Sequence, residues 1–216
     1  MPSSALPGER PRLRGVVHHY AFFASLLTGG VLVALAPTSR RLWAAAIYAA
    51  SLSALLGVSA LYHRTTWSPA GRRWMGRLDH SMIHVLIAGT YTPFGMLALS
   101  DTLAAFLLRV AWGGAAAGIA LHVLWLDAPK WLSACVYVAM GWVGVAAMPS
   151  LVRQAGWTPT SLLLVGGLVY SVGAFVYASR RPDPVPTVFG YHEVFHVLVV
   201  VAAAAHYVAV AMTILS

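Results

Sequence analysis

The chain has 216 residues, of which 59% are apolar and only 9% charged, against roughly 25% charged in an ordinary soluble domain; that balance excludes a water-soluble globule and calls for lipid as solvent. The formal net charge is +8, but the basic residues fall between apolar segments rather than along one face, so they read as orientation signals in a bilayer, not as a nucleic-acid surface. The single cysteine, Cys135, lies inside an apolar run, which excludes an intrachain disulfide.

Residues 1–15 are polar and rich in Pro and Arg, and read as a cytoplasmic tail rather than a cleavable signal. Residues 16–216 then form one domain in which apolar stretches long enough to cross hydrocarbon as helices recur. Seven are expected, at about 16–36, 42–62, 80–99, 104–126, 131–149, 160–178 and 190–214. Pro37, Pro69, Pro129, Pro149 and the PDPVP run at 182–186 punctuate them as helix breakers. The loops are short, so consecutive helices are expected to be antiparallel neighbours. The fold expected is therefore all-α: a polytopic seven-transmembrane-helix bundle.

Its orientation follows from the basic residues. With the N-terminus cytoplasmic, that side carries Arg10, Arg12, Arg14, Arg64, Arg72, Arg73, Arg77, Lys130, Arg180 and Arg181, leaving Arg40, Arg41, Arg109 and Arg153 to the other. The positive-inside rule then predicts the N-terminus inside and the C-terminus outside, in the plasma membrane. On this topology Ser59 and His63 end the second helix, Asp79 and His80 open the third, and His192 and His196 open the seventh, all at the cytoplasmic face.

The spacing of these residues carries chemistry. Ser59 and His63 are four apart, as are His192 and His196, so each pair shares one helix face. Two such His with a third from another helix give the three-ligand set of a catalytic zinc site, leaving a fourth position open to water. Asp79 is the candidate to accept a hydrogen bond from a metal-bound water or to act as general base, and Ser59 the candidate orienting group or oxyanion partner. Blander readings exist for each: Asp79 as a helix N-cap, Ser59 as interhelical packing, and the His pairs as chance. His18 and His19 read as interfacial, His206 as a bundle hydrogen-bonder too far along its helix to share the ion, and Gly114 and Gly118 as a small-residue packing stripe.

The segments SALYHR, LDHSMIHVLIAGTYTPF and HEVFHVLVVVAAAAHY together resemble the haemolysin III family, the bacterial branch of the progestin and adipoQ receptor superfamily, related to alkaline ceramidases. The resemblance implies a seven-helix bundle with zinc near the cytoplasmic face, held by His63, His192 and His196, with Asp79 beside it and Ser59 behind. The chain departs from that pattern at His84, where many relatives have an aromatic residue such as Tyr, and in lacking an acidic, Asn-containing opening.

Three functions fit: a zinc-dependent intramembrane hydrolase of lipid amide or ester bonds; a cytolytic, membrane-perturbing protein; and a receptor or sensor of lipid state with structural zinc. Membrane lipid is the expected substrate or ligand. The sequence leaves homo-oligomerisation open.

Overall fold

A computed structural model describes residues 11–125 and 129–216; Arg10 and the start of the expected tail lie outside the described residues. The described chain is helical, with one isolated β-bridge between Val185 and Phe189. In order the helices are α1 (Val16–Ala34), α2 (Ser39–Arg64), α3 (Pro69–Leu97), α4 (Asp101–Leu124), α5 (Lys130–Trp142), α6 (Met148–Gln154), α7 (Trp157–Ser179) and α8 (Tyr191–Leu215). A 3₁₀ segment, Val143–Ala147, joins α5 to α6 in one line.

Six spans among the described residues are long and apolar enough to cross a membrane: α1, α2, α4, the composite Trp131–Gln154, α7 and α8. α3 is longer than any of them, but His80, His84, Thr90, Thr92 and Pro93 dilute its apolar character. The faces turned away from the bundle are apolar, with Phe23 and Leu27 of α1 and Val172 and Phe175 of α7 exposed. In water that would be a cost; against acyl chains it is a match.

Two prolines behave differently from the expectation. Pro69 was expected to mark a loop before a helix starting at 80, yet α3 begins at Pro69 itself. The reason is local: Ser68 caps the helix by accepting from the Gly71 N–H at 3.2 Å, and Pro at the first helical position gives up an N–H that would have no partner there. Arg72, Arg73 and Arg77 therefore ride on helical turns, Arg72 over the Tyr62 ring and Arg77 over Trp74. Pro149 likewise occupies the first turn of α6 and starts a helix rather than ending one. Where α5 tightens into the 3₁₀ segment, the Tyr91 phenol holds the turn, donating to the carbonyls of Met140 and Gly141 and accepting the Gly144 N–H at 2.9 Å.

Consecutive helices pack as neighbours, and α8 packs against α7, α1, α2 and α3. Its buried face, including Val199, Ala203, Val210 and Ile214, meets Leu52, Leu55, Leu86 and Phe94 in the main core. That central position brings the start of α8 up against the end of α2.

Candidate metal centre

Three segments deliver the site. His63 lies in the last turn of α2, one turn beyond Ser59; His192 and His196 lie on the first turns of α8; Asp79 lies in the third turn of α3. One nitrogen from each of His63, His192 and His196 falls within 4.8 Å of the others. Ring centroids are 4.8 Å apart for His63 and His192, 5.1 Å for His63 and His196, and 4.5 Å for His192 and His196.

The Nε2 atoms of His63 and His192 stand 3.2 Å apart. Two imidazole nitrogens at that distance repel unless a hydrogen or a cation lies between them. The Nδ1 of His196 is buried without a hydrogen-bond partner among the described residues, and His196 itself is 2% exposed. A buried lone pair without a partner is costly. The three histidines can hold one metal ion, which would relieve the repulsion between the two facing Nε2 atoms.

Asp79 brings a carboxylate oxygen to 3.7 Å from His63 Nε2. It is not the N-cap of its helix, a role Ser68 fills. Ser59, 3% exposed, lines the same cavity as Asp79.

Two groups at this site were not foreseen. His18 was expected at the interface; it is instead 2% exposed and stacked on His196 with centroids 3.8 Å apart and an interplanar angle of 11°. His19, its neighbour, is exposed as expected. The difference is a matter of helix phase, which the spacing of two adjacent His could not decide. The second is Glu193, 1% exposed, whose carboxylate accepts from Arg14 Nε at 2.5 Å and from the Gly190 N–H at 2.8 Å. A carboxylate inside an apolar helix demands a partner, and that alone was a signal to look for one.

The partner arrives from the supposed tail. Residues 12 and 13 hydrogen-bond through their backbone N–H groups to Thr187 and Val188, and Gly15 turns the chain into α1 at φ 77°. A Cβ on Gly15 would lie 2.6 Å from the His63 Cβ. Positive φ and close approach both require glycine here.

Behind the histidines runs a cavity of about 170 Å³. Asp79, His80 and His192 line one end; Met148, Leu163, Tyr170 and His206 line the other, and most of the wall between is apolar. Along α8, the distance from His192 to His206 is about 21 Å at 1.5 Å per residue. His206 Nε2 bonds the Leu163 carbonyl at 3.0 Å, joining α8 to α7.

The family described as Haemolysin-III related matches residues 8–207. The chain belongs to the haemolysin III family. It is similar to the Hemolysin-3 homolog of Bacillus subtilis (strain 168), 35% identical over 159 residues, which are 74% of this chain and 71% of that one. Hemolysin-3 of Bacillus cereus is 36% identical over 131 residues, 61% of this chain and 59% of its own. The Heptahelical transmembrane protein ADIPOR2 of Oryza sativa subsp. japonica is 34% identical over 149 residues, 62% of this chain and 65% of its own. The matches to the last two span less than two thirds of those relatives' length. These relatives place the haemolysin III family member described here in the progestin and adipoQ receptor superfamily, and with six apolar spans it is a multi-pass membrane protein.

Proposed function

We propose that this family member is a zinc-dependent hydrolase that cleaves an amide or ester bond of a membrane lipid at the cytoplasmic face of the plasma membrane. The observation that carries the reading is the convergence of His63, His192 and His196 on one point beside the Asp79 carboxylate, at the head of a long apolar cavity. His63, His192 and His196 would hold the zinc. When bound, zinc supplies a Lewis acid that polarises a carbonyl and eases loss of a proton from water.

The protein's own groups do the rest. Asp79, oriented by Ser59, takes a proton from water and returns it to the leaving group. The apolar cavity holds the acyl chain and keeps its carbonyl near the histidines. Glu193, fixed by Arg14 and by the Gly190 N–H, sets the first turn of α8 so that His192 and His196 keep their phase. His18 stacks on His196 and excludes water from its outer face.

In this reading α3 is a seventh span, the N-terminus lies inside and the C-terminus outside. The basic residues of 11–15, of the turns at 64–77 and of 180–181 then share the cytoplasmic side. The test is metal analysis of purified protein together with turnover of a panel of lipid amides and esters. His63→Ala should lose both zinc and hydrolysis; Asp79→Asn should keep zinc and lose hydrolysis. Zinc present with no turnover across the panel would instead favour a sensor with structural metal.

A further inference from the structure

The residues that the hydrolase reading leaves unused gather on the other side of α3. His84 and His122, 0% and 1% exposed, have ring centroids 5.4 Å apart, a separation close to those of the three histidines above. His84 Nδ1 lies 3.1 Å from the Met140 sulfur, so an ion held by both would sit on the Nδ1 side of the ring. His122 Nε2 lies 2.8 Å from the Tyr137 phenol oxygen. An imidazole anchored through one ring nitrogen, with the other turned to a metal, is how metal-binding histidines are held.

α4 is shaped to receive these side chains. A Cβ on Gly118 would overlap the imidazole of His84, and one on Gly114 would lie 3.3 Å from the methyl of Met140. The stripe expected to bring two helix backbones together therefore makes room for an imidazole and a thioether. Gly114, Gly118 and His122 follow at four-residue steps on one face of the helix. Because helical side chains lean toward the N-terminus, His122 reaches back over the turn that Gly118 leaves open.

We propose that His84, His122 and Met140 form a second metal site, distinct from His63, His192 and His196, that takes a cuprous ion. The donor set decides the ion. All three ligands are neutral, and the site is buried among membrane helices. The penalty for burying a charge rises with the square of that charge, so a monovalent ion costs far less there than a divalent one. A thioether beside imidazole selects Cu(I). The first site differs on this point, since it has the Asp79 carboxylate within 3.7 Å of His63 to offset a second charge.

The experiment uses the zinc-loaded protein in detergent, without oxygen, titrated with Cu(I) supplied from a coloured chelator. One further equivalent of copper should bind without releasing zinc. His84→Leu should abolish that uptake and retain zinc, and Met140→Leu should weaken it on the order of tenfold, as loss of one ligand of three. Copper that displaces zinc one for one, or uptake unchanged in His84→Leu, overturns the proposal. Should either variant fail to fold, copper-edge X-ray absorption of the unmodified protein decides: a nitrogen-and-sulfur shell supports the site, and a shell without sulfur, or no bound copper, refutes it.

Discussion

Arg14→Met tests how the first and last helices are tied across the candidate site. The substitution keeps much of the alkyl stem and removes the guanidinium, leaving the Glu193 carboxylate, 1% exposed, with only the Gly190 N–H. Breaking one side of a fully buried pair costs about 3–5 kcal/mol. Arg14 retains 20% of its side-chain exposure, so water offsets part of that, and about 2 kcal/mol is expected. For a chain of this length each kcal/mol moves the midpoint by about 2–4 °C, which gives a fall of about 4–8 °C. Thermal unfolding in detergent, followed by tryptophan emission, reads it. Glu193→Gln alone keeps an acceptor for the Gly190 N–H and removes the charge, so the double variant should recover part of the loss. Equal midpoints for Arg14→Met and the parent would refute the reasoning. So would a double variant as unstable as the sum of the two singles, because pairing would then contribute nothing.

Gly15→Ala combines a φ of 77° with a clash at the His63 Cβ; a loss of about 1–2 kcal/mol and reduced metal content should appear together, measured by unfolding and elemental analysis. Gly113→Ala meets nothing within 4 Å and should stabilise α4 by about 0.5–1 kcal/mol in the same unfolding assay. Tyr91→Phe strips the phenol from two carbonyls and the Gly144 N–H, and should lower stability by about 2 kcal/mol while leaving metal content unchanged. A chelator should lower the midpoint of the metal-loaded protein, and re-added zinc should restore it, because an ion that binds only the folded state stabilises it.

The helices were legible because hydrocarbon imposes a length and a composition on whatever crosses it, and those are properties of contiguous sequence. His63, Asp79, His192 and His196 were legible for a related reason: polar groups in apolar segments are few, and their depth follows from where each helix begins. What could not be read was phase and tertiary approach. His18 and His19 are adjacent, and only the packed bundle turns one onto His196 and the other to the outside. Pro69 and Pro149 looked like stops because a proline at the first turn of a helix and one in a loop have the same local composition; the distinction lies in the hydrogen bond that Ser68 makes to Gly71. Gly114 and Gly118 showed small-residue spacing, but nothing local says whether the space they leave is filled by a backbone or by side chains. Glu193 was visible and its partner was not, since Arg14 lies 179 residues away.

That last separation bears on how the protein is made. His63 enters the membrane with α2, 129 residues before His192, and the Arg14 guanidinium waits 179 residues for its carboxylate. Until α8 is made, His18 lacks the ring it stacks on and His63 lacks both histidines it faces. The pairing of Arg14 with Glu193, and the meeting of His63 with His192 and His196, then arrive together with the final helix. A chain halted before Tyr191 would therefore leave both halves unmatched, and completion of the last segment is what closes the cluster.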